Sequence, residues 1–126
     1  MHSLLLIEDN VEISNVIQLI LEAEGFPVTV VETAQEAFLR IRSGQFSAIL
    51  MDYYIDGFDC EKFVRYAESV KTTVILMTCA TDIEEKKRNL RVQYAIKKPF
   101  DESELIATVK QACKSQSSSR MVSSVA

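Results

Sequence analysis

The sequence predicts an α/β fold, a single doubly wound sheet of five parallel strands with helices on both faces. Three observations predict it. Apolar runs of strand length alternate five times with segments of helical periodicity. The runs are short and nearly unbroken, as in strands buried on both faces of a parallel sheet. Four of them stop abruptly at polar residues: Leu4-Leu5-Leu6-Ile7 at Glu8-Asp9, Ala48-Ile49-Leu50-Met51 at Asp52, Val74-Ile75-Leu76-Met77 at Thr78, and Tyr94-Ala95-Ile96-Lys97 at Lys98-Pro99.

The first strand spans about residues 3–8. Ile13, Ile17 and Ile20, with Val16 alongside, mark one face of the first helix, which Gly25 and Pro27 close. Residues 28–31 form a β-branched second strand. Thr33 and Glu36 make a capping box for a second helix, lined by Ala34, Ala37, Phe38 and Ile41 and ending near Gly44. Residues 46–51 form the third strand. Asp59 caps a third helix with Phe63, Ala67 and Val70 inward. Residues 73–77 form the fourth strand, and Thr81 with Glu84 opens a fourth, highly charged helix. Residues 93–97 form the fifth strand. Asp101 with Glu104 caps a fifth helix carrying Leu105, Val109 and Ala112. Right-handed crossovers join such units. Residues 1–114 make the domain, and the serine-rich residues 115–126, without an apolar face, read as a flexible tail.

At 126 residues the chain is one domain. Hydrophobic residues make up 48% and charged ones 25%, an ordinary globular balance. A net charge of −4 argues against direct nucleic-acid binding and against anchoring on acidic lipid. No apolar run is long enough to span a bilayer, and Met1-His2-Ser3-Leu4 does not begin a signal peptide, so a cytoplasmic location is expected. Cys60, Cys79 and Cys113 are too widely spaced for a zinc site and read as reduced, mostly buried thiols.

If the strands are parallel, Glu8, Asp9, Asp52, Thr78 and Lys98 meet at one sheet edge, where such folds place ligands. Two carboxylates 4 Å apart repel by about 4 kcal/mol at an effective dielectric near 20, so three call for a cation. An all-oxygen site suits Mg²⁺. A carboxylate can act as a nucleophile and become an aspartyl phosphate, with Lys98 and Thr78 able to reach the added oxygens. Singly, each residue has a plainer reading. Asp9 could cap the first helix with Glu12, Lys98 could be solvated, Thr78 could merely end a strand, and Asp52 could be a turn residue. Their joint placement at strand ends favours phosphoryl chemistry.

These residues carry a resemblance. With Asn10 after Glu8-Asp9, Asp52 at a strand end, Thr78 in Ile-Leu-Met-Thr-Cys-Ala, and Lys98-Pro99-Phe100, residues 3–114 resemble a response-regulator receiver domain of two-component signalling, with the CheY-like, flavodoxin-like (βα)5 fold. The resemblance implies a signalling switch rather than an enzyme acting on other substrates. Asp52 would be the phosphoacceptor, and Thr78 and Lys98 would contact the phosphoryl group. Asp9, Asp52 and the backbone carbonyl of Tyr54 would bind Mg²⁺, with Glu8 reaching it through water. The donor would be a phosphohistidine on a sensor histidine kinase or phosphotransfer protein. A downstream protein would dock on the face formed by the fourth helix, fifth strand and fifth helix. The Lys98-Pro99 bond would be cis.

The chain also departs from the family pattern. Asp56 stands where a proline is usual, and Cys60 where a glycine is. Ala95 replaces the aromatic residue expected three positions before the lysine, and Tyr94, one position earlier, faces the other way on a strand. The output face is therefore expected to respond weakly or by another route. Tyr54, two residues after Asp52, could shield an acyl phosphate, and Ala80 is too small to assist a water, so slow self-dephosphorylation is expected. The alternatives are a receiver-like module that works without phosphorylation, a Mg²⁺-dependent phosphohydrolase, and a flavin-binding doubly wound domain, whose phosphate ester Glu8-Asp9 would repel. The second would want a carboxylate where Tyr54 stands.

Overall fold

The computed structural model describes the backbone of residues 2–79 and 81–125, with side chains up to residue 114. Five strands, β1 (Leu4–Ile7), β2 (Val28–Val31), β3 (Ala48–Asp52), β4 (Thr73–Thr78) and β5 (Tyr94–Lys97), form one sheet in the order β2-β1-β3-β4-β5. All four pairings are parallel. Five helices alternate with them: α1 (Val11–Ala23), α2 (Ala34–Ser43), α3 (Cys60–Ser69), α4 (Ile83–Leu90) and α5 (Glu102–Val125). The fold is thus the doubly wound one expected. The strand order reverses between β1 and β3, which opens a crevice at their carboxyl ends.

Alternation along each strand sorts the core into two layers. Leu4, Leu6, Leu50, Ile75, Met77 and Ile96 pack against Ile17 and Leu21 of α1 and Leu105, Val109 and Ala112 of α5. Leu5, Ile7, Ile49, Met51 and Leu76 pack on the other side against Ala37, Ile41, Phe63 and Ala67 of α2 and α3. Each fully buried Leu or Ile contributes roughly 1.5–3 kcal/mol. Truncating Leu50, central in the sheet and fully buried, should cost about 3 kcal/mol.

Most helix starts form as expected. Thr33 accepts from the Glu36 N–H at 3.2 Å, Asp59 from that of Lys62 at 3.0 Å, and Asp101 from that of Glu104 at 2.7 Å. Gly25 turns the chain after α1 at φ 90°, a conformation glycine adopts without strain.

Asn10, not Asp9, caps α1, accepting from the Ile13 N–H at 3.1 Å, so the plainer reading of Asp9 falls away. Two local expectations are corrected. The Thr81–Glu84 box does not form. Helix α4 starts after Asp82, whose carboxylate is taken by Lys86 at 2.9 Å instead of capping the helix. Val70 lies at the C-cap of α3 and Val16 on the outer side of α1, so both are exposed rather than inward. The backbone of α5 is helical to Val125, and the described buried residues end at Cys113.

Tyr94 and Ala95 face opposite ways, as the strand period requires. Tyr94 is buried on the α1/α5 side, and Ala95 packs on the other. No helix among the described residues is long and apolar enough to cross a membrane.

Candidate phosphoacceptor and metal site

Parallel register brings the strand ends to one edge. Asp52 ends β3 opposite Met77 of β4, and Thr78 ends β4 opposite Lys97 of β5. Glu8 and Asp9 follow β1, which runs beside β3. Lys98 is placed by its own backbone, because its N–H donates to the Thr78 carbonyl at 2.9 Å. The Lys98-Pro99 peptide is cis, as the resemblance implied.

The side chains converge. Glu8, Asp9 and Asp52 each offer a carboxylate oxygen, and these oxygens lie within 4.8 Å of one another. Glu8, Asp52 and Thr78 are buried, while Asp9 is exposed at the rim. The Lys98 ammonium stands 2.7 Å from Glu8 Oε1 and 3.5 Å from Asp52 Oδ1. The Asn10 N–H also donates to Glu8, at 3.4 Å. Burial holds the Glu8 carboxyl above the ordinary glutamate range. The Lys98 ammonium pulls it down, and the neighbouring Asp52 pushes it up.

The donor set fits Mg²⁺ on chemical grounds. Three carboxylates face one ammonium, which leaves excess negative charge at an all-oxygen edge. Glu8 is already engaged by Lys98, which suits an indirect role, and Asp9, freed from capping, is open to solvent. Asp9 and Asp52 are the residues that would hold the ion directly.

Tyr54 differs in kind from the other candidates. The residue is 57% exposed, and its ring stacks on Tyr53, with centroids 4.9 Å apart and planes at 29°. Ala80 lies outside the described residues. Cys60 is buried behind the loop, where its thiol donates to the Tyr53 carbonyl at 3.4 Å. Burial, with the charges of Asp52 and Asp59, pushes that thiol up to about 11. All three cysteines are free; Cys60 and Cys113 are buried, and Cys79 is exposed.

Sequence reasoning missed Lys86. Its ammonium lies 4.8 Å from the Tyr53 ring centroid and 5.9 Å from that of Tyr54, and it pairs with Asp82. The spacing of Asp82 and Lys86 signals a helical ion pair. Nothing in the sequence signals the tyrosines beneath it.

Comparison with known proteins bears on the family and the fold. The sequence model of the response regulator receiver domain matches residues 4–110. The chain is 31% identical over 113 residues to the uncharacterized transcriptional regulatory protein YkoG of Bacillus subtilis, covering 86% of this chain and 50% of that protein. It is 28% identical over 111 residues to the phosphate regulon transcriptional regulatory protein PhoB of Rhizobium meliloti, covering 82% and 48%. The chain thus spans about half the length of these curated relatives. In fold it is similar to a CheY-like receiver domain protein from Methanospirillum hungatei JF-1, with a TM-score of 0.85 and 22% identity over 94% of this chain and 98% of that one.

Proposed function

The chain belongs to the response regulator receiver domain family, and on that footing we propose that it is a phosphoryl-accepting switch with Asp52 as the acceptor. One observation carries the reading: Asp52 is buried at a strand end within reach of two further carboxylates and of the Lys98 ammonium.

In the proposed transfer an Asp52 Oδ attacks the phosphorus of a phosphohistidine. A P–O bond forms as the P–N bond breaks, and the electron pair returns to the imidazole nitrogen. Lys98 turns from Glu8 toward the equatorial oxygens, and Thr78 donates its hydroxyl to one of them. Asp9, Asp52 and the Tyr54 carbonyl would hold Mg²⁺, with Glu8 in an indirect role, and the ion would supply charge neutralisation for the transferred group. The chain acts on its own aspartate and turns over no other substrate.

The donor is proposed to be a sensor histidine kinase or phosphotransfer protein acting in the cytoplasm. An apolar groove of about 530 Å³, lined by Ile13, Val16, Ile17, Pro99 and Phe100, opens beside Lys98 and suits its docking. The output is proposed to be docking of a downstream protein on the face of α4, β5 and α5, with no direct nucleic-acid contact by this chain.

Mass spectrometry after incubation with acetyl phosphate and Mg²⁺ tests the reading. One added phosphate that disappears in Asp52→Asn is expected. A parent protein that stays unmodified would instead favour a module working without phosphorylation.

A further inference from the structure

We propose that Lys86 is a positioning residue for the loop that leaves Asp52, and that its grip on Tyr53 and Tyr54 couples α4 to events at the carboxylate site. The inference rests on the reading of Asp52 as phosphoacceptor and adds a route out of that site.

The grip has three parts. Tyr53 and Tyr54 stack on each other at 4.9 Å. The Lys86 ammonium stands over both, at 4.8 and 5.9 Å from the ring centroids, in reach of their negative faces. Asp82, one turn earlier on the chain, aims the ammonium through both carboxylate oxygens, at 3.0 and 2.9 Å. The lysine side chain is only 15% exposed, so its stem covers the rings as well.

The two ends of the grip are held differently. The Tyr53 backbone is fixed, with its N–H on the Met77 carbonyl and its carbonyl receiving the Cys60 thiol. Helix α4, by contrast, has no buried residue. An element with so little burial belongs to the least stable part of a fold. Lys86 is therefore a principal tie between the N-terminal half of α4 and the rest of the domain. It ties that half to the residue whose carbonyl is proposed to hold the metal.

On β5, the strand next to α4, the aromatic route is missing. Ala95 faces the α4 side, and Tyr94 is turned to the opposite core. Any ordering of the Tyr54 backbone by metal and phosphoryl must shift the stacked rings and so re-aim Lys86. Coupling is reciprocal, so the grip must in turn favour loading of the site.

The test uses the full chain, ¹⁵N-labelled, with Mg²⁺ and beryllofluoride as phosphoryl mimic. In the parent, backbone shifts should change at Glu8, Asp9 and residues 52–57, and also at residues 83–90. In Lys86→Met, which keeps the stem and loses the charge, the loop changes should persist and those in α4 should vanish. Lys86→Arg should restore them. The Mg²⁺ concentration for half-saturation should rise about 2- to 5-fold in Lys86→Met, matching the lower range of cation–π strengths, and return in Lys86→Arg. Tyr53→Leu/Tyr54→Leu leaves the Lys86–Asp82 turn of α4 intact and should silence α4 in the same way, which separates coupling from fraying of the helix. Unchanged α4 shifts in Lys86→Met or in the double leucine variant overturn the proposal, as does a parent in which only the loop responds. A parent without changes at Glu8, Asp9 and residues 52–57 removes the phosphoacceptor reading itself, and the coupling with it.

Discussion

The Lys98 ammonium stands 2.7 Å from the Glu8 carboxylate, joining two residues 90 positions apart in the chain. Glu8 is 1% exposed, so its charge depends on that partner. Removing one member of a buried pair is far costlier than replacing both. Lys98→Met should therefore destabilise the metal-free protein by about 3 kcal/mol. Glu8→Gln combined with Lys98→Met should recover most of the loss. Urea unfolding of the two single variants and the double variant reads the coupling directly. Additive losses would show that the pair contributes nothing of its own.

Mg²⁺ should stabilise the fold. A ligand that binds only the native state adds about 2.7 kcal/mol at a hundred times its Kd. Thermal unfolding at matched ionic strength should show a rise in Tm with Mg²⁺ that is lost in Asp9→Asn. Asp9 is the member of the cluster most open to solvent and is not the helix cap. An equal rise in the variant would place the ion elsewhere.

Much of this was legible in the sequence because it follows from burial. Period-two and period-3.6 patterns reveal which residues face inward, and a carboxylate that ends a doubly buried strand must lie at the sheet edge. Asp52, Glu8, Asp9, Thr78 and Lys98 were found that way. What was not legible depends on competition between neighbours or on contacts across the fold. Asp9 and Asn10 are adjacent and both able to cap, and only geometry shows that Asn10 does so. Asp82 could serve α4 as a cap or Lys86 as a counterion, and the ion pair took it. Val16 and Val70 fit the apolar period, yet periodicity does not reveal where the covering element ends. Lys86 meets Tyr53 only because the order β3-β4-β5 sets α4 beside the loop after β3.

Phosphate on Asp52 should be long-lived, and Tyr54 should be one reason. It follows Asp52 by two residues in the chain, and its ring stacks on Tyr53, with the Lys86 ammonium 5.9 Å from the ring centroid. Tyr54→Ala removes that ring and should open the loop to water. Loss of phosphate followed by mass spectrometry after removal of the donor should be several-fold faster in the variant. Equal rates would show that the ring does not shield the acyl phosphate.

The cysteines make the fold sensitive to alkali, with a sign set by burial. Cys60 and Cys113 are buried, and burial pushes each thiol up to about 11, with Asp52 and Asp59 adding to the effect at Cys60. In the unfolded chain the same thiols ionise near the ordinary value of 9.0. Between these values the unfolded state has released protons that the folded state still holds, so stability must fall as pH rises from about 9 to about 11. Each thiol can contribute a slope of at most about 1.4 kcal/mol per pH unit. Denaturant midpoints should drop across that window in the parent and drop less in Cys113→Ala, which removes one of the two thiols. The same burial predicts reactivity. At pH 8 a thiol reagent should modify exposed Cys79 first and leave Cys60 and Cys113 until the protein unfolds, because the thiolate is the reacting species. Early modification of Cys60 would mean that the loop after Asp52 opens in solution, and Lys86→Met should then hasten it.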